Sequence, residues 1–399
     1  MNWMVLPNQV CLIVKLYNNR PGLLPDSNVM RYYFLFFLLL VSYSCSREDQ
    51  NPDSIRIDLS RSYGNEQLEN IVDDIRLVPL ETNDSCIVGQ YDRVIVKGRS
   101  IFILDKMQNT VFCFDTTGKF RQKINRQGRS GQEYITADDF IVQDNTLIVF
   151  DNNKSQLQFY DFQGNYVKTI PVCQGDQIAV NPAGGYIVYS SVADKYHVHT
   201  FNDKGEKTGE YLPVESKIIN LPSAFCNNRS ILSYNDETFI LNFFDYNVYS
   251  LKNNELKIKY RYDFGVKNMP DDLLEVSDPA SFMQKIAKDK SVQQIENFTE
   301  TRNWITFDAR YPVYYNKNAQ VYYVFNELKF PYSLFFWQAP LAINDDNEYF
   351  SIVSINQIQA LVPAVKKYTG QYPFIETVAS ASINDNDNNW VLFFRLKNN

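Results

Sequence analysis

Between Ile101 and Ile170 the chain carries one pattern twice. The first copy reads Ile101-Phe-Ile-Leu-Asp105, Val111-Phe-Cys-Phe-Asp115, then Thr-Thr-Gly118-Lys-Phe120. The second reads Leu147-Ile-Val-Phe-Asp151, Leu157-Gln-Phe-Tyr-Asp161, then Phe-Gln-Gly164-Asn-Tyr166. Asp105 and Asp151, Asp115 and Asp161, and Gly118 and Gly164 are each 46 positions apart. Three anchors with one offset define a repeated structural unit. Its strand runs are apolar at both parities, which a strand covered on both faces requires. The Asp-x-x-Gly segments supply hairpin chemistry: Asp bonds back to the backbone and Gly accepts a positive φ. Each unit is therefore a small meander that cannot bury its own faces. A strand-built period in the forties predicts the blades of a propeller.

Counting onward gives six. Blade one covers Val88–Asn125 and blade two Asp139–Ile170. Blade three contains Tyr186–Tyr189, Val198–Phe201 and the turn Asn202-Asp203-Lys-Gly205. Blade four runs from Ser230 to Phe264. Blade five is read from Trp304, and blade six from Tyr349 to the last strand, Trp390–Leu396. Candidate strands at Ile55–Leu59 and Ile71–Leu80 open no blade of their own. One or both are assigned to complete the last blade and close the ring. Residues 269–297 break the pattern. Asp278-Pro279 reads as an N-cap followed by Pro at the first helical position, so a small helical insertion is expected there. A second helical piece spans Asn356–Lys367, with Pro363 expected to kink or interrupt it. The expected fold is all-β: a six-bladed propeller of four-stranded antiparallel blades, closed by an N-terminal strand.

The start of the chain reads as an address. Tyr32–Val41 is an unbroken apolar run, shorter than the ~20 residues that span a bilayer, and fits a signal-peptide core. Met30-Arg31 just before it makes a compact start, with residues 1–29 as an upstream extension. Ser42-Tyr-Ser-Cys45 follows and resembles a bacterial lipobox, which makes Cys45 the lipid-attachment residue. Tyr43 and the missing Leu depart from that pattern; cleavage by ordinary signal peptidase would leave Cys45 incidental. The expected organisation is a leader over 1–45, a tether with a first strand over 46–69, and the propeller over 70–399.

Residues Gly128-Arg-Ser-Gly131-Gln-Glu133-Tyr134 link the first two blades. Together with the two blade motifs they resemble the six-bladed propeller lipoproteins of Bacteroidetes, related in pattern to NHL repeats. That family often carries G-x-G-P-G-E-[FY] at this link, and here the Pro is absent. The resemblance covers most of residues 70–395. It implies an outer-membrane lipoprotein, with Glu48 and Asp49 similar to the acidic signals of surface-exposed members. It implies no established activity. A phosphate-cradling loop would need a helix start and a Lys that do not follow, so the link is read as structural.

Chemistry is thinly signalled. The net charge is −7, and −9 without the leader, whose Lys15, Arg20 and Arg31 outweigh Asp26; no basic cluster marks a nucleic-acid partner. The only histidines are His197 and His199, which share a strand face as His-Val-His and are weak metal candidates without a third. No G-x-S-x-G elbow is present. Adjacent carboxylates at Asp138-Asp139, Asp236-Glu237 and Asp345-Asp346 read as turn residues, and Asp105 and Asp151 as turn holders. The four later cysteines, Cys86, Cys113, Cys173 and Cys226, allow three pairings with no choice among them; Cys113, inside a strand, reads as a buried free thiol. The aromatic run Phe330–Trp337 reads mainly as core, with Trp337 as the candidate ligand-binding residue. No cofactor is implied. The expected function is non-catalytic binding or scaffolding of an extracellular glycan, peptide or envelope protein. The alternative is a lyase or hydrolase, with or without the help of a metal, in the central channel.

Overall fold

Strands that are apolar on both faces need neighbours on both sides, and the computed structural model provides them as a ring. It describes residues 54–191, 193, 195–214, 229–234, 237–274, 278–368 and 370–398; the leader with Cys45, and Cys226, lie outside them. The chain enters through β1 (Ser54–Arg56), helix α1 (Asn65–Ile71) and β2 (Val72–Pro79). Blade I is β3 (Arg93–Lys97), β4 (Ser100–Asp105), β5 (Thr110–Asp115) and β6 (Phe120–Ile124). Blade II is β7 (Asp139–Gln143), β8 (Thr146–Asp151), β9 (Gln156–Asp161) and β10 (Tyr166–Pro171). Blade III is β11 (Gln177–Val180), β12 (Tyr186–Tyr189), β13 (Tyr196–Phe201) and β14 (Lys207–Pro213). Blade IV is β15 (Ile231–Tyr234), β16 (Glu237–Leu241), β17 (Asn247–Lys252) and β18 (Glu255–Asp263). Helix α2 (Pro279–Lys288) precedes blade V, which is β19 (Glu296–Glu300), β20 (Trp304–Ala309), β21 (Tyr311–Asn316) and β22 (Val321–Val324). Blade VI holds β23 (Ala342–Ile343), β24 (Tyr349–Val353), helices α3 (Ile355–Tyr368) and α4 (Glu376–Ser380), and β25 (Trp390–Leu396).

The ring is closed by β2, which pairs antiparallel to β25 and supplies the outer strand of blade VI. Of the two N-terminal candidates, only this one closes it. β1 instead pairs parallel to β18, giving blade IV a fifth strand. The both-parity strands divide their side chains between two cores. Ile101 and Ile103 pack toward blade VI, while Phe102 and Leu104 pack toward blade II. Four more clusters fill the remaining inter-blade spaces, so every blade is covered on both faces.

The repeated turns behave as their chemistry predicts. Asp115 accepts from the Thr117 and Lys119 amides, Asp161 from those of Gln163 and Asn165, and Asn202 from those of Lys204 and Glu206. Gly118, Gly164 and Gly205 take φ of 86°, 79° and 83°. Buried Asp105 accepts from the Gly89, Gln90 and Gln108 amides, and Asp151 from those of Ile135 and Lys154. Each therefore ties a blade's entry linker to its own turn.

Four expectations need correction. Blade V begins at β19, inside the stretch given to the helical insertion, which holds α2 and a 3-10 turn at Asp271–Leu274. Blade VI begins at the two-residue β23, so Tyr349 opens its second strand. Blade III has an inner strand, β11, ahead of Tyr186. Helix α3 runs through Pro363 without a break. Ile358, Leu361 and Val365 bury its other face, while Pro363 is exposed, so the carbonyl that loses its partner can reach water.

Neighbouring strands run in opposite directions, which sorts the connections onto two faces. The first-to-second and third-to-fourth turns form the hairpin face. The second-to-third connections and the inter-blade linkers, with α2, α3 and α4, form the linker face.

Candidate functional site

The inner strands β3, β7, β11, β15, β19 and β23 surround the ring axis. They enclose a channel of about 1030 Å³ to which all six blades contribute residues. Its middle is lined by short apolar side chains, among them Val94, Ile141, Ala179 and Ile343. Polar groups gather at the two ends, because the period-two alternation of each short inner strand leaves its terminal residues to meet across the axis.

At the linker end, Arg93 and Asp139 open their strands and approach to 3.7 Å. Asp139 also accepts from the Ile178 amide at 2.8 Å, and Gln177 accepts from the Ser230 amide at 2.8 Å. Arg229 is buried and donates to the Leu341 carbonyl at 2.7 Å, joining blade IV to blade VI. Burial lowers its guanidinium to about 9, with Arg93 adding repulsion and Asp139 opposing; it stays charged at neutral pH. At the hairpin end, Tyr234 donates to Asn347 at 2.6 Å, a second bridge between blades IV and VI. Asp345 accepts from Lys97 at 2.9 Å and from the Gly98 amide at 3.1 Å, joining blades VI and I. Arg302 and Asp346 are exposed beside these bridges.

Of the acids at the channel ends, Asp139 and Asp345 are engaged in ion pairs, while Asp144 and Asp346 line the hairpin mouth. Asp138 serves Thr136 and the Asn152 amide, and Glu237 pairs with Lys259 at 2.6 Å; Asp236 lies outside the described residues. The link after blade I is structural as well. Glu133 folds back onto the Ser130 amide, filling the space beside Gly128, and Tyr134 is buried with its hydroxyl on the Asn109 carbonyl.

The histidines lie away from the channel. His197 is buried, with Nδ1 2.8 Å from the Ser190 carbonyl, and it stacks on Tyr189 with Phe243 edge-on. His199 approaches Glu210 at 3.6 Å; burial and the Lys207 ammonium hold its imidazole below the ordinary value. Among the described residues, no three His, Cys, Asp or Glu side chains gather as a metal-binding group. Cys86, Cys113 and Cys173 are free thiols, and burial pushes Cys113 up to about 11.

In the aromatic run, Tyr332, Phe335 and Phe336 are buried, whereas Trp337 is 58% exposed on the linker before blade VI. The bridging pairs Tyr234–Asn347 and Lys97–Asp345 are site features that sequence reasoning missed. Their only signal was polar residues at the ends of strands too short to recognise.

Two solved structures similar to this chain come from Bacteroides. One, from Bacteroides fragilis, is described as an exported protein; it is 16% identical, with a TM-score of 0.65, covering 86% of this chain and 99% of its own. Another, a DUF4221 family member from Bacteroides vulgatus, is 9% identical with a TM-score of 0.51, covering 82% of this chain and 98% of its own. At such identities they establish the fold alone. No curated protein matches the chain. A family model described as DUF4934, a domain of unknown function, matches residues 54–395.

Proposed function

The chain belongs to the DUF4934 family over residues 54–395, and from that premise we propose that it is an exported, non-catalytic binding propeller. In this reading Cys45 carries the lipid that holds it at the outer membrane. The ligand is an extracellular glycan or peptide taken in the channel, or an envelope protein met at the exposed Trp337. The observation that carries the reading is the channel. It offers about 1030 Å³ of mixed apolar and polar lining, and its carboxylates Asp139 and Asp345 hold blades together. That volume suits a ligand of a few sugar or amino-acid units. The export half draws support from the lipobox-like Ser42–Cys45 and from the exported description of the Bacteroides fragilis structure.

The test is a screen of residues 46–399 against glycan and peptide panels, with calorimetry for binding and mass spectrometry for products. Binding without a new product is expected, weakened by Tyr234→Ala or Arg302→Ala for a channel ligand and by Trp337→Ala for a surface one. A new product would move the protein to the lyase or hydrolase reading. The anchor is tested separately: Cys45→Ala should abolish acyl labelling and release the protein from the membrane fraction.

A further inference from the structure

On the linker face, beside blades IV and V, a second pocket of about 600 Å³ lies against the segment through which the chain enters. Three strips of backbone build it. The Val292 amide donates to the Lys267 carbonyl at 2.7 Å, and Arg310 donates to the Ser291 carbonyl at 3.1 Å. The strips at 265–268, 290–292 and 310–311 are thereby laced together. Arg56, Lys267, Lys290 and Arg310 line the pocket, a concentration of positive charge in a chain of net −7.

Asp58 lines the pocket against these four cations, and it and the acids nearby have partners of their own. Asp263 pairs with Arg56 at 2.6 Å, Asp58 turns to Ser60, and Asp289 caps Ser291. Lys267, Lys290 and Arg310 are left facing solvent. Between them stand two apolar groups a soluble surface would normally cover: Val266, 96% exposed, and Tyr311, 37% exposed. The pocket is also lined by Asn326, whose Oδ1 is buried without a hydrogen-bond partner among the described residues.

Cations, an exposed aliphatic tip and an aromatic ring beside one another are the components of a protein–lipid interface. We infer that this patch rests on an anionic lipid surface: Lys267, Lys290 and Arg310 meet lipid phosphates, and Val266 and Tyr311 enter the headgroup layer. The choice of a lipid surface rests on the Cys45 tether proposed above. From Cys45 to Ser54 the chain can reach about 30 Å at most, which keeps the entry segment, and this pocket beside it, close to the bilayer. The contact adds a second attachment to the lipid one and so fixes how the ring is presented.

The experiment uses unacylated residues 46–399, whose ring closes within residues 54–398. The chain is floated with vesicles of phosphatidylcholine alone or mixed with phosphatidylglycerol. Binding to the mixed vesicles only, weakening with salt, is expected. Lys267→Glu with Lys290→Glu should lower the partition at least about tenfold, and Val266→Asn should lower it with every charge unchanged. Equal binding to neutral vesicles, no binding to either, or an unchanged partition for the charge-reversed chain would overturn the inference. So would full displacement by inorganic phosphate, which would make the pocket a free-anion site. Because no acyl chain is present, the result is independent of Cys45, and loss of acyl labelling in Cys45→Ala is independent of the patch.

Discussion

Gly118 and Gly164 occupy the same place in successive blades and both need a positive φ, yet their surroundings differ. A Cβ on Gly118 would lie 1.9 Å from the Pro79 carbonyl oxygen, at the end of the strand that closes the ring. A Cβ on Gly164 would meet nothing nearer than 3.7 Å. Gly164→Ala should therefore cost only left-handed strain, about 1 kcal/mol. Gly118→Ala should cost several-fold more, because the Pro79 backbone must also move. Urea midpoints of the two variants check this, and equal losses would mean that β2 yields freely. Asp308 gives a second prediction at this scale. Burial pushes its carboxyl up to about 6, although Asn297 and the Ala339 amide both donate to it. The folded chain thus keeps this proton over a range where the unfolded chain has lost it. Its stabilising contribution is complete below about pH 4 and is lost as pH rises to about 6. Asp308→Asn should remove that decline, gaining up to about 3 kcal/mol at pH 7.5 relative to pH 4. Denaturant titrations at the two pH values decide it; a difference independent of pH would place the burial cost elsewhere.

Among the elements, β1 and β2 are neighbours in sequence with unequal duties. β1 adds an edge to a finished blade and helps seat Ile57 and Leu59, while β2 supplies the strand pairing that closes the seam of the ring. A chain starting at residue 62 should fold with a loss of about 3–6 kcal/mol, the burial of two aliphatic side chains. A chain starting at residue 81 should show no cooperative unfolding, since blade VI would expose β25 and the cluster beneath it. Circular dichroism melts of the two truncations test the contrast. The same inequality explains what could be read in advance. The repeat was visible in blades I and II because three spaced residues, two Asp and one turn Gly, recur there without substitution of role. It faded where β23 shrank to Ala342-Ile343 and where β19, Glu-Asn-Phe-Thr-Glu, carried charges at both ends. An inner strand faces a polar channel along one edge, so neither hydrophobic run nor strict alternation marks it. The channel site is built from those strands, and it was correspondingly hidden.

Taken whole, the ring is asymmetric between its faces. Of the eight large hydrophobic residues exposed among those described, seven belong to the linker face: Ile87, Met107, Ile135, Val266, Tyr311, Trp337 and Val362. The helical insertions are on that face too. The hairpin face instead presents the tight Asx turns and the polar channel mouth at Tyr234, Arg302 and Asp346. Hairpin turns are fixed by strand register and have little freedom to vary, whereas linkers can lengthen without disturbing a ladder. Exposed apolar surface therefore accumulates on the linker face, and the hairpin face keeps the polar mouth of the channel. If the linker face meets lipid, the hairpin mouth points toward the medium. The two sites should then act independently. Arg302→Ala should weaken a channel ligand and leave vesicle flotation unchanged, while Lys267→Glu with Lys290→Glu should do the reverse. A chain carrying all three changes should show the sum of the separate effects within about 0.5 kcal/mol, as sites without shared partners do. Flotation and calorimetry on the same four proteins provide the measurement. A coupling beyond that limit would mean that the ring transmits strain from one face to the other.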